Sequence, residues 1–298
     1  MRKIIYILVL FFGCDSLEKQ FGVEEAEENF NYYDFLAYGW AKIFENDSDL
    51  SFSYFDQSLT VDGISYYNNA FVGMGWAKTY SANSILNSDL CIDSQIDCTD
   101  LVDKNRNDAK CFFYKSTLNE GNSLIGTTSS EILEECTDQT IESFDALSVM
   151  DYSITDASIY YTDACKENAQ GDVEFDSCFE DYIKDLQVGY LYLEYLSYLQ
   201  SITNDSIDNI QAQDIIELFN QFLLNNPDYD IMDDKSNYNF GYSFNYQNIA
   251  SVISKLYLNL GDYDNSCNYA DTYLDCSNLD CSTGDALDLI NCINTPLN

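Results

Sequence analysis

Eleven cysteines, 51 acidic residues and not one histidine bound the chemistry open to this chain of 298 residues. Without an imidazole there is no Ser-His-Asp triad, no Cys-His nucleophile pair and no common metallohydrolase centre. Two carboxylates at the separation a glycosidase uses arise by coincidence at this density of Asp and Glu, so no pair is assigned that role. Neither a Walker loop nor a dinucleotide-binding glycine fingerprint occurs. Asp103, Asn105 and Asn107 imitate the first half of a calcium loop, but Asp108 stands where glycine is required and Tyr114 where a bidentate glutamate belongs. The expectation is a chain that is not an enzyme, with no catalytic residues, no metal and no cofactor.

Chemistry at the N-terminus is of another kind. Arg2 and Lys3 precede an uncharged apolar run from Ile4 to Phe12, the size of a signal-peptide core and too short to cross a bilayer, which takes about 20 apolar residues. The run closes in Phe11-Phe12-Gly13-Cys14. This resembles the lipobox of bacterial lipoproteins, in which a small residue precedes a cysteine that is lipidated and becomes the first residue of the mature chain. Phe11 departs from the leucine usual there, and an ordinary signal peptide with an incidental cysteine is the alternative. The resemblance implies residues 1–13 as leader, Cys14 as the lipid attachment point and residues 14–28, polar and acidic, as a tether. The protein would then be lipid-anchored to a bacterial membrane, facing periplasm or cell exterior, with the leaflet left open.

Export changes how the remaining cysteines read. Cys91, Cys98, Cys111, Cys136, Cys165, Cys178, Cys267, Cys276, Cys281 and Cys292 are even in number, and in an oxidising compartment they suit disulfides. A zinc site would need C-x-x-C pairs or histidines, and the chain has neither. Six of the ten lie between Cys91 and Cys178 and four after residue 266, which predicts pairing within each group. Connectivity inside the groups stays open.

The formal net charge of −38 excludes nucleic acid, whose phosphates are bound by Lys and Arg displacing counterions, and disfavours anionic lipid surfaces. It keeps a chain soluble and steers a cationic partner. With 46% hydrophobic residues, among them 25 Tyr and 18 Phe, there is material for a large core, so acidity does not mean disorder.

The elements that position these residues follow a repeat. Gly39-Trp40-Ala41-Lys42-Ile43-Phe44 returns as Gly75-Trp76-Ala77-Lys78-Thr79-Tyr80, and the two words hold both tryptophans of the chain. Self-similarity at such a period marks stacked supersecondary units. From Tyr33 to Asp62 the sequence resembles one tetratricopeptide unit. Gly39 takes the close-approach position between two helices, Ile43 and Phe44 close helix A, and Asn46-Asp47 makes the turn. Phe52, Phe55 and Leu59 stripe helix B, with Ser51 and Ser58 in place of alanines. Gly75 repeats the role of Gly39. Ile215, Ile216, Phe219, Phe222 and Leu223, with Pro227 as a stop, suit another helix B, whose helix A spans Leu186 to Leu199 with Ser201 to Asn209 as a loop. Ile249 to Leu274, turning at Gly261, makes the last unit, and Ala286 to Ile293 a capping helix.

The resemblance implies an all-α, tetratricopeptide-like helical-hairpin solenoid over residues 29–298, with residues 88–185 as an elaborated segment stapled by disulfides. Cys91 to Lys110, acidic and rich in asparagine, is read as a loop. Helices are expected within Ser129 to Met150, capped by Ser129 or Ser130, and within Ile154 to Asn168. A separate small domain is the alternative for the middle. Gly39, Trp40, Gly75, Trp76 and Gly261 are expected to pack the repeats. Tyr32, Tyr33, Tyr66, Tyr67, Tyr190, Tyr192, Tyr195 and Tyr198 are candidates to line the inner, binding face, where tyrosine adds contact area at small entropic cost; packing between helices is the alternative for each. The functional expectation is a cell-envelope scaffold or adaptor that holds a protein partner without catalysis. The alternative is a glycan-binding outer-membrane lipoprotein for nutrient uptake.

Overall fold

The computed structural model describes residues 30–61, 68–88, 98–118, 128–136, 144–151, 177–203, 209–231, 244–274, 276, 281 and 286–294. The chain is all-α, and among these residues β structure is limited to an isolated bridge between Asp230 and Asn245. The leader, Cys14 and the tether lie outside the described residues.

Eleven helices are described: α1 Tyr32–Phe44, α2 Ser48–Ser58, α3 Asn68–Leu86, α4 Thr99–Thr117, α5 Ser129–Glu135, α6 Ala146–Asp151, α7 Ser177–Thr203, α8 Asn209–Asn225, α9 Tyr246–Asn259, α10 Tyr263–Tyr273 and α11 Ala286–Asn294. Each long helix packs on its successor, and α3 also meets α1 and α7. None among the described residues is long and apolar enough to cross a membrane.

The first hairpin shows why these residues turn where they do. Asn46 ends α1 at φ 59°, its amide donating to the Ile43 carbonyl while the Asp47 amide donates to Lys42. This closes the last helical turn in a Schellman arrangement. Asp47 then caps α2 by accepting from the Leu50 amide at 3.1 Å. In the last hairpin the same bonds recur at the same spacing. Gly261 has φ 77°, its amide donates to Leu258, the Asp262 amide donates to Tyr257, and Asp262 accepts from the Asn265 amide at 3.1 Å.

Packing obeys the same register. A Cβ built on Gly39 would stand 2.6 Å from the Phe55 ring, and one on Gly73 would fall inside that ring's contact distance as well. Phe55 therefore lies between α1 and α3, held by a glycine on each. One hairpin further on, Phe113 of α4 lies between Gly75 and Gly189, whose added Cβ atoms would stand 2.5 and 2.7 Å from it. The serines in alanine positions are satisfied. Ser51 Oγ donates to the Gly39 carbonyl at 2.8 Å and Ser58 Oγ to Phe55 at 2.6 Å, while Ser116 repeats the latter bond to Phe113 at 2.6 Å. In the last hairpin Ser254 and Ser266 occupy the Gly39 and Ser51 positions and bond each other's carbonyls at 2.8 and 2.7 Å.

One continuous core runs from α1 to α9, and a second small cluster under α10 and α11 contains Cys267, Ala270, Leu289 and Ile293. Disulfides join Cys111 to Cys136, Cys267 to Cys281 and Cys276 to Cys292, so the last four cysteines pair among themselves. Cys98 is disulfide-bonded as well. Cys91 and Cys165 lie outside the described residues, as does the side chain of Cys178.

Three local expectations are corrected. Thr99 to Lys110 is helical, not a loop. Val102, Ala109, Phe112 and Phe113 are buried at helical spacing, an apolar stripe interrupted by the buried Asn105 and diluted in sequence by the acids and Asn107 around it. The imitation calcium loop lies inside that helix, where Asn105 Nδ2 donates to the Leu101 carbonyl at 2.9 Å. The cap of α5 is Thr128 in a capping box with Glu131, not Ser129 or Ser130. Finally, α7 extends beyond Leu186 and Leu199 at both ends. The helix expected within Ile154 to Asn168 lies outside the described residues.

Candidate functional site

The tyrosines expected on a presented face are core residues. Tyr32, Tyr190, Tyr192, Tyr195 and Tyr198 are all buried, from 0 to 8% exposed, which corrects their candidacy as surface contacts. The cause is α7 itself. Leu186, Val188, Leu191, Leu193 and Leu196 are fully buried alongside the tyrosines, and the helix is enclosed by α3, α4, α6 and α8. Burial pushes the Tyr192 hydroxyl up to about 12 and raises Tyr190 and Tyr195 in the same direction. Tyr66 and Tyr67 lie outside the described residues, as does the side chain of Tyr33.

Gly39, Trp40, Gly75 and Trp76 lie at helix contacts, whereas Gly261 makes the last turn with open space around it and packs no repeat. Trp40 meets Phe55 edge-on, with ring centroids 5.5 Å apart. Trp76, fully buried, donates its indole N–H to the Asp185 carbonyl at 2.9 Å and so ties α3 to α7. Tyr229 donates its hydroxyl to the Asp185 carboxylate at 2.9 Å, drawing the turn after α8 to the same point.

Tyr190 also builds a concave feature. Its hydroxyl donates to the Phe144 carbonyl at 2.5 Å and sets the start of α6 against α7. Asp145 caps that short helix, accepting from the Ser148 hydroxyl and amide at 2.5 and 2.8 Å. These bonds hold its carboxyl below the usual carboxylate range, so it stays ionised. Between α6 and α8 opens a cleft of about 560 Å3. Phe144, Tyr190, Ile215 and Leu218 make an apolar floor, and Asp145, Glu194, Asp214 and Glu217 supply carboxylates. Lys110 is the cleft's basic residue. Its Nζ pairs with Glu194 at 2.8 Å and stands 5.5 Å from the centre of the Tyr190 ring.

A second concavity of about 410 Å3 lies where the α1–α2 turn meets the end of α3. Asn46, Asn83 and Asn87 line it with three serines and Tyr80. In a chain so rich in carboxylates, its lining holds no charged side chain.

Neither concavity has the groups for nucleophilic or acid–base chemistry on a histidine pattern. No three His, Cys, Asp or Glu side chains among the described residues converge to hold a metal ion. What the cleft can do is bury apolar groups while presenting negative charge at its lip. Sequence reasoning missed it because Asp145, Asp214 and Glu217 are three among 51 acids; the available signal was the pair of outward acids, Asp214 and Glu217, on α8. No family model matches the chain, and neither a curated protein nor a solved structure matches it.

Proposed function

We propose that this chain is a tetratricopeptide-like scaffold of a bacterial cell envelope, anchored through a lipid on Cys14, that holds a protein partner and performs no chemistry of its own. The observation that carries this is the recurring wedge. Phe55 and Phe113 each sit between the glycines of consecutive hairpins, at the small-residue and aromatic positions a tetratricopeptide unit uses to stack. Stacked hairpins of this type expose extended surfaces suited to binding other macromolecules. The histidine-free composition and the signal-like segment ending in Cys14 are consistent with a binding role at a membrane.

The test is crosslinking in intact cells followed by purification of the full chain in detergent. A protein recovered in stoichiometric yield, together with release of a Cys14→Ser chain from the membrane fraction, is the expected result. Absence of any such partner, or membrane retention of the Cys14→Ser chain, would overturn the proposal.

The uncharged concavity favours a second reading, glycan binding. Amides and hydroxyls both donate and accept hydrogen bonds, as the hydroxyls of a neutral sugar require, and Tyr80 offers a ring face. Trp76, whose ring centre is 5.9 Å from that of Tyr80, reports occupancy. A saturable change in its fluorescence on adding neutral oligosaccharides supports this reading, and a flat titration removes it.

A further inference from the structure

We infer that the cleft between α6 and α8, with the outer face of α8, docks a segment of the partner protein that is basic at its centre and apolar at its ends. This rests on the scaffold proposal and deepens it by naming what the partner presents.

The outer face of α8 has a distinctive order. Ile210, Asp214, Glu217, Gln221 and Leu224 follow one another at steps of four and three residues, which places them on a single helical stripe. Leu224 and Ile210 are 83% and 72% exposed, more than any other large apolar side chain among the described residues. At 1.5 Å per residue they stand about 21 Å apart along the helix. Between them lie the carboxylates, and across the cleft Leu147, 64% exposed, adds an apolar lip beside Asp145. About six residues of extended chain span that length.

Charge selects the occupant. Lys110 is already engaged by Glu194, and no described basic side chain is within ion-pair distance of Asp145, Asp214 or Glu217. The chain has 13 basic residues for 51 acidic ones, so it is poor in neutralising charge of its own, and a second copy would bring like charge to like. A phosphate-bearing polymer or an anionic bilayer is repelled for the same reason. A metal ion is a poor fit because the carboxylates do not converge. A cationic polypeptide segment with apolar ends satisfies both the lip and the floor.

The probe is a fluorescein-labelled peptide of about ten residues with leucines at both ends and lysines between, titrated by anisotropy against the full chain in detergent. The Asp214→Asn/Glu217→Gln chain should bind about tenfold more weakly, with a shallower salt dependence. A control of equal charge change at exposed positions of α10, Asp264→Asn/Asp271→Asn, should differ less than about twofold. Leu224→Ser should weaken binding without altering the salt dependence. Equal losses in the two charge variants would reveal nonspecific attraction and overturn the inference. Binding of spermine as tight as that of the peptide, with Leu224→Ser silent, would do the same by pointing to a small polycation. If the Asp214→Asn/Glu217→Gln chain still crosslinks the cellular partner at the parental yield, the inference fails while the scaffold stands. If neither chain captures a partner, the scaffold proposal itself fails.

Discussion

Replacing Gly75 with alanine tests the wedge most sharply, because two effects of opposite sign compete there. In an ordinary helix interior the change is favourable by about 1 kcal/mol, since glycine is the poorer helix former. Here the new methyl would stand 2.5 Å from Phe113 Cε1, roughly an ångström inside contact. The ring has nowhere to retreat. Phe113 is fully buried and its far side is closed by Gly189, where an added Cβ would already stand 2.7 Å from both Phe113 Cζ and Trp76 Nε1. Overpacking a closed core costs about 1–3 kcal/mol, and a ring clamped on two sides belongs at the upper end. The net loss is about 2 kcal/mol, a fall of about 4–8 °C in melting temperature for a chain of this size. Urea titration and thermal melts followed by far-UV circular dichroism measure it. A double-mutant cycle with Phe113→Leu should return most of the penalty as coupling. A Gly75→Ala chain that is more stable than its parent, as a solvent-facing helical glycine would give, refutes the close approach and with it the repeat register.

Two further perturbations have definite outcomes. Alkylation of the unreduced protein followed by mass spectrometry should leave Cys111, Cys136, Cys267, Cys276, Cys281 and Cys292 unmodified, and Cys111→Ser with Cys136→Ser should cost about 3 kcal/mol in urea titration; free thiols at these positions would contradict the pairing. Lys255 is half-buried, no described acid is within ion-pair distance, and burial pulls its ammonium down to about 8 from an ordinary 10.5. Between those two values the unfolded chain binds the extra proton, so stability should rise by about 1 kcal/mol from pH 7.5 to 9.5. Above about pH 10 the buried tyrosines, whose hydroxyls are shifted upward, reverse the trend. Lys255→Met should be more stable at pH 7 and lack the rise, and a parallel pH profile in the two chains would count against the burial of this amine.

The hairpins at both ends were legible in the sequence because their signals are local. Gly39 to Phe55 and the Gly261 turn each lie within a single hairpin, and glycine, asparagine and aspartate at fixed steps leave few alternatives for the backbone. The partner of Gly75 was not legible. Phe113 follows after residues 89–97 are interposed, and α4 interleaves Asp, Asn, Lys and Arg, two of them buried, with its apolar positions, which hides its stripe. Tyr190 to Tyr198 misled because tyrosine suits a binding surface and an aromatic core equally. The decisive signal was the leucine spacing around them, since a helix apolar on all sides is a buried one. The cleft depends on residues from α4, α6, α7 and α8 meeting in space, and no single stretch of sequence announces that.

The sharing of one phenylalanine by two hairpins has a dynamic consequence. Opening α1 from α2 uncovers the same ring that steadies α3, so α1 to α4 and α7 should lose amide protection together as one exchange unit. Beyond α9 that linkage changes character. Ala270 stands where Phe55 stands in the first hairpin, and Cys267–Cys281 with Cys276–Cys292 replaces the aromatic wedge by covalent cross-links. Under reducing conditions the C-terminal end should therefore fray first, and hydrogen–deuterium exchange with and without reductant would resolve the chain into a cooperative block and a redox-dependent flank.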